Sequence, residues 1–261
     1  MPFTPSHVAA VIPLISSARV RKVLDPWALA VGAMVPDLPL FLPYLDAYSR
    51  WHSPVGVVTN DVVAVFVLLA LLQFVFRDPL TALLPDGVAA RVAAVPGPGW
   101  RRFPAIALGA AAGAATHVLW DSFTHEWGAA VWGWSWMTTP VHGWLTGYRV
   151  MQYLSSVVGL ALTAWWLFRR LRPSATGPPG VVTAGRRALP VAMRLGVLVC
   201  TCAGAFMASG VWTLVDPPNP LLGWAGVLTK TGVGLVVGFC AVLTAYALLW
   251  QLGRVLRLSR A

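Results

Sequence analysis

Apolar residues gather in long runs along this chain. The clearest extend from Val150 to Phe168, from Leu189 to Val215 and from Leu221 to Trp250. Pro104 to Trp120 and Val62 to Phe76 are shorter runs of the same kind. A helix needs about 20 predominantly apolar residues to cross a bilayer, so these five predict five spanning helices. Two weaker segments precede them. One is Val8 to Ile15; the other is Pro26 to Leu45, interrupted by Pro36, Asp37, Pro39 and Pro43. The expected fold is all-α, a polytopic membrane helical bundle with five clear spans and up to seven membrane segments. Gly/Pro-rich stretches at 96–99 and 174–185 mark loops. The second divides an expected metal-site membrane domain (1–170) from a C-terminal membrane helix pair (188–261).

Composition agrees with the runs. Hydrophobic residues make up 57% of the 261 and charged residues 11%, against about 25% charged in soluble domains. The net charge of +10 is no nucleic-acid signal, because the arginines sit between apolar runs. Arg169, Arg170, Arg172, Arg186 and Arg187 share one loop, and Arg254, Arg257 and Arg260 end the chain. By the positive-inside rule, that loop and the C-terminus are expected in the cytoplasm. The 121–149 and 216–220 loops and the loop holding His52 are then expected outside. Met1-Pro2-Phe3-Thr4 has no basic region and no cleavage site follows, so no removable signal peptide is expected.

The chemistry concentrates at the end of one run. His117, Asp121 and His125 are spaced four apart, so on a helix they form one column. Ionisable groups at the end of a membrane-like segment are costly unless they bind something. Imidazole nitrogen and carboxylate oxygen are the usual ligands of zinc. The expected orientation places all five histidines, His7, His52, His117, His125 and His142, at or near the outer ends of segments. Asp37 lies about 11 residues into its segment, roughly 16 Å along a helix. Pro36 and Pro39 beside it disrupt that helix and free carbonyls, which membrane interiors tolerate only under cover of protein or at a cavity.

These residues resemble a known pattern. Pro2-Phe3-Thr4-x-Ser6-His7, Gly32-x3-Pro36-Asp37-x-Pro39, His52-Ser53 and His117-x2-Trp120-Asp121-Ser122-x-Thr124-His125 resemble a bacterial, actinobacterial-type membrane family of unknown function. That family is similar to inner-membrane proteins described as metal-dependent hydrolases. More distantly, the ligand order resembles the zinc-dependent phospholipase C and single-strand nuclease superfamily, which hydrolyses phosphate esters. The resemblance implies metal ligands at His7, Asp37, His52, His117, Asp121, His125 and His142. It also implies a divalent metal (zinc first, manganese next) and a multi-pass place in the bacterial cytoplasmic membrane. Thr146 stands where the superfamily has an acid four residues after the last histidine, so one or two ions are expected, not three. The close resemblance covers about residues 2–125. Asp121 is the natural bridging ligand.

Other features leave alternatives open. Asp61 is a candidate catalytic base beside the ligands, or a cap of the following helix, where Asp is favoured. Trp127, Trp132, Trp134, Trp136 and Trp144 form an interfacial aromatic belt or the rim of a lipid-substrate site. Lys230 is expected to snorkel outward, or to meet a substrate phosphate. Cys200, Cys202 and Cys240 read as packing residues. Gly109 and Gly113 allow close helix approach near His117. The first functional reading is a hydrolase acting on a phosphate-ester or lipid-linked substrate at the outer face, with membrane lipid the expected partner. An ion- or proton-coupled transporter and a non-catalytic scaffold with a structural metal are the alternatives.

Overall fold

The computed structural model describes residues 3–42, 44–45, 48–143, 145–172, 189–218 and 223–258. Pro2, Pro43, Trp144, Ser174, Arg186, Arg187 and Arg260 lie outside them. The first half of the chain forms α1 (Val8–Ser16), α2 (Pro26–Gly32), α3 (Leu38–Phe41), α4 (Tyr48–Trp51), α5 (Pro54–Val58), α6 (Asn60–Leu71), α7 (Arg77–Leu83) and α8 (Asp86–Ala94). Then come α9 (Phe103–Asp121), α10 (Trp127–Trp132), a hairpin of β1 (Pro140–His142) and β2 (Leu145–Thr146), α11 (Gly147–Leu171), α12 (Val191–Val215) and α13 (Gly223–Leu258).

Five segments are long and apolar enough to cross a membrane: Asn60–Leu83, Trp100–Asp121, Gly147–Leu171, Val191–Val215 and Gly226–Leu256. They coincide with the five runs expected from the sequence. Thr4–Ser16 and Pro26–Phe41 are apolar but shorter. The protein is an all-α polytopic membrane bundle. Large apolar side chains on its surface, such as Val157, Phe206 and Leu214, suit a lipid solvent.

Packing divides the chain into two units, Met1–Leu69 with Gly97–Ser174, and Ala70–Pro96 with Ala175–Ala261. In the first, α2 lies directly against α9. A Cβ on Gly113 would stand 2.4 Å from the Leu29 carbonyl oxygen, so any side chain there would push the helices apart. Gly109 is equally tight, at 2.9 Å from the Asp25 carbonyl oxygen. Small residues thus bring the backbones together, as expected for helices in lipid. Two apolar clusters hold the unit, Val65, Leu69, Ile106 and Ala110 in one and Val11, Ile15, Leu29 and Ala33 in the other. Asp25 starts α2 by accepting from the amides of Trp27 and Ala28, and from Gly99 as well.

The segment that begins at Pro26 does not continue as one helix. α2 stops at Gly32, a single 3-10 turn covers Val35–Asp37, and α3 resumes at Leu38. Pro36 and Pro39 supply the break, since a proline removes a donor and clashes with the preceding turn. The break leaves Asp37 fully buried.

In the second unit α12 packs on α13, where a Cβ on Gly238 would stand 2.4 Å from the Gly204 carbonyl oxygen. Leu72–Phe76 is a π-helical turn, and Gln251 donates to the Phe74 and Val75 carbonyls at 3.2 and 2.9 Å. Such a turn leaves carbonyls that need partners away from water. Lys230 does not snorkel freely: it pairs with Asp216 at the end of α12. The three cysteines are free.

Candidate metal centre

Three separate stretches of chain deliver side chains to one buried point. α9 ends at Asp121 and carries His117 one turn earlier. The broken helix supplies Asp37, and the residue after α4 supplies His52. Asp37, His52, His117 and Asp121 form the group, each with one ligand atom within 4.8 Å of the others. His117 Nε2 is 3.5 Å from Asp37 Oδ1 and 3.4 Å from Asp121 Oδ2. His52 Nε2 is 3.8 and 3.5 Å from the same two oxygens. These are long for hydrogen bonds. Three of the four match the edges of a coordination tetrahedron, since ligands about 2.0–2.2 Å from one zinc stand roughly 3.3–3.6 Å apart, and the fourth, at 3.8 Å, is slightly longer.

Apart from the Asp37 carboxylate, the polar atoms at this point lack hydrogen-bond partners. His52 Nε2, His117 Nε2 and both oxygens of Asp121 are buried without one. Each such atom costs about 1–3 kcal/mol, and two carboxylates in a membrane interior add to that. A divalent cation would satisfy them all, so the residues present fit the metal.

The second oxygen of Asp121 faces the other way. Its Oδ1 lies 3.5 Å from His7 Nε2 and 3.5 Å from His125 Nδ1. The His7 ring stacks on His117 at 3.8 Å between centroids, and neither of its nitrogens has a hydrogen-bond partner. Burial holds the His125 imidazole below its ordinary pKa, in the neutral form that ligates. Asp61 is fully buried and both of its oxygens lack partners. The capping role favoured from sequence is therefore absent: the carboxylate bonds no amide of α6. His142 stands apart, exposed on β1 without an ion pair or ring contact to the group.

The ligand rings are aimed by backbone carbonyls. His117 Nδ1 donates to Ala33 at 2.8 Å, His52 Nδ1 to Tyr48 at 3.1 Å and His125 Nδ1 to Asp121 at 3.1 Å. Each bond fixes a tautomer whose Nε2 carries the lone pair, the usual arrangement behind a metal-bound histidine. The carboxylate of Asp37 is held from both sides, by Thr4 Oγ1 at 2.6 Å and Tyr48 OH at 3.1 Å. The Tyr48 ring also lies 4.0 Å from that of His52. Burial, with Asp37 and Asp121 close by, pushes the Tyr48 phenol well above its ordinary pKa, so it stays a donor. Thr4 is part of the N-terminal motif but has no assigned role there, and Tyr48 is not singled out by the sequence. The signal was there in the spacing, since Tyr48 precedes His52 by one helical turn.

Beyond Asp121 the chain builds an aromatic row. Phe123, Trp132, Trp134 and Trp136 stack in succession, with centroids 4.9, 5.7 and 6.2 Å apart. Trp132 Nε1 donates to Ser122 Oγ, so the row is tied to the residue after Asp121.

The chain belongs to a family described as a domain of unknown function, DUF4184, which it matches over residues 1–248. The match runs past the ligand-bearing half and takes in the C-terminal spans, beyond the 2–125 stretch that carries the motifs. No curated protein and no solved structure matches the chain.

Proposed function

Within that family, we propose that this protein is a membrane-embedded, metal-dependent hydrolase of a phosphate ester. The observation that carries the proposal is the surplus of unsatisfied ligands. A structural zinc site is complete with four protein groups. Here His7, His125 and Asp61 remain unsatisfied beside Asp37, His52, His117 and Asp121. Zinc is the metal that imidazole and carboxylate together suit, with manganese next. A divalent ion in this setting supplies Lewis acidity and lowers the pKa of water to near 7.

The chain's own groups divide the remaining work. Asp37, His52, His117 and Asp121 would hold the ion, with the Asp37 carboxylate oriented by Tyr48 and Thr4. His7 Nε2 faces the free oxygen of Asp121, so those two groups would help to hold a second ion, with His125 hydrogen-bonded alongside. Asp61, buried with both oxygens unpartnered, would take up the proton of an attacking water. The tryptophan row would hold an amphipathic substrate at the interface, which favours a lipid or lipid-linked phosphate at the outer membrane face. The cytoplasmic membrane of a bacterium, with the C-terminus inside, is the setting that the arginine distribution and the family resemblance support.

A second reading, an ion- or proton-coupled transporter, is favoured by one observation. The helix carrying Asp37 is broken at the depth of the site, as in transporters with discontinuous helices. The deciding experiment assays purified protein, loaded with zinc or manganese, on phospholipids and generic phosphodiesters beside Asp121→Asn. Chelator-sensitive turnover absent from the variant supports the hydrolase. No turnover, together with ion flux into liposomes that needs Asp37 and Asp121, assigns the transporter instead.

A further inference from the structure

The second unit contains a cavity of about 500 Å³, within the size range of small-ligand sites. Leu84, Leu198, Phe239 and Leu243 make its walls apolar, Pro85 and Arg194 lie at one end, and Thr201 lies along α12 from them. From Val191 to Thr201 the lining follows α12 for ten residues, about 15 Å of helix. That is the depth of one leaflet, half of a hydrocarbon core of about 30 Å.

The rim at the Arg194 end carries one charge of each sign. Arg194 donates to Asp86 Oδ1 at 2.7 Å. The two side chains differ in exposure, 18% for Arg194 and 79% for Asp86, and of the pair only Arg194 lines the cavity. The cation therefore sits inward, against the apolar wall, and the anion outward. A guanidinium has five N–H donors. The one on Asp86 is the only hydrogen bond that this side chain makes among the described residues, and Nε has no partner.

That order of charges matches one class of ligand. In a phospholipid with a primary ammonium, the tail is deepest, the phosphate lies above it and the ammonium is outermost. We infer that this cavity holds one acyl chain of such a zwitterionic phospholipid, with its phosphate on Arg194 and its ammonium on Asp86. A phosphate ester accepts from guanidinium as a charge-assisted pair, and a carboxylate accepts from a primary ammonium in the same way. A choline headgroup has no N–H to give Asp86. A glycerol headgroup has no cation, and sets its phosphate beside an uncompensated carboxylate. The site is separate from the proposed metal centre and needs no activity there.

The test is lipid retention. The full chain, purified in detergent, is exchanged into micelles containing equal amounts of phosphatidylethanolamine, phosphatidylcholine and phosphatidylglycerol, and bound lipid is counted by native mass spectrometry. The expected result is about one phosphatidylethanolamine per chain, preferred about tenfold, the ratio that one hydrogen bond to a charged group supplies. Asp86→Asn alters only an exposed side chain and should erase that preference while lipid still binds. Arg194→Gln should lower retention of all three lipids, and Leu198→Trp, which fills the cavity, should do the same. Equal retention of the three lipids by the wild-type chain overturns the proposal. So does a preference for phosphatidylglycerol, or a preference that survives Asp86→Asn. A lipid-free dimer that Leu198→Trp dissociates assigns the cavity to a second copy of this chain and also overturns it.

Discussion

His117 Nδ1 donates to the carbonyl oxygen of Ala33, the residue that caps the end of α2, over 2.8 Å. The acceptor is available because the proline-broken segment stops its helix there. The bond fixes the ring, and so one interruption both positions Asp37 and aims the imidazole opposite it.

The first prediction is metal retention. His117→Ala should lower zinc affinity more than 100-fold, beyond the 10–100-fold typical of losing an outer partner of a ligand. His142→Ala should leave affinity unchanged, because that side chain is exposed on β1. Metal content of the purified proteins, with titration of the stripped forms, measures both. Equal loss in the two variants would place the ion elsewhere.

Tyr48→Phe provides a finer test. It keeps the ring beside His52 and the main-chain carbonyl that His52 Nδ1 meets, and removes the hydroxyl that donates to Asp37. Zinc affinity should fall about 10–100-fold with the protein still folded in the membrane. Thr4→Val should act in the same direction. An unchanged affinity in both would mean that Asp37 needs no orienting partner.

Close packing of α2 on α9 yields a stability prediction. Gly113→Ala places a methyl 2.4 Å from the Leu29 carbonyl oxygen, and overpacking of this kind costs about 1–3 kcal/mol. Thermal unfolding in detergent should shift downward, and metal affinity should fall with it, because Ala33 and His117 separate when the helices do. A stable variant with normal metal content would show that the interface is slack.

Orientation is tested by labelling. Ser135→Cys should react with a membrane-impermeant thiol reagent in intact cells, and Ser174→Cys should react only after the cells are opened. The three native cysteines are first replaced by serine. The reverse pattern would turn the site toward the cytoplasm.

The spans were legible because each is a simple run of apolar residues, and the solvent they need is implied by length. The column of His117, Asp121 and His125 was legible because a four-residue spacing fixes one face of a helix. Asp37 could be placed by its depth and its flanking prolines. The parts that were not legible depend on direction or on partners far along the chain. Asp61 occupies a position where caps are common, yet its carboxylate turns inward, and sequence position does not choose a rotamer. Lys230 finds Asp216 only once α12 and α13 lie together. Tyr48 and Thr4 are ordinary interface residues until Asp37 is known to sit between them.

The brevity of the first two apolar helices bears on how the protein is made. Thr4–Ser16 and Pro26–Phe41 reach only about 20 and 24 Å at 1.5 Å per residue, short of a hydrocarbon core of about 30 Å. Neither can settle across the bilayer unaided as it leaves the ribosome. The glycine face of α9, which receives the second of them, is synthesised some 70 residues after it, and α11, against which the first packs, later still. The N-terminal ligands must therefore wait at the membrane during translation, and the pocket closes only when α9 has been inserted. Biogenesis of the centre is thus a late event in the life of the nascent chain, and a truncation before residue 121 would leave His7, Asp37 and His52 with nowhere to dock.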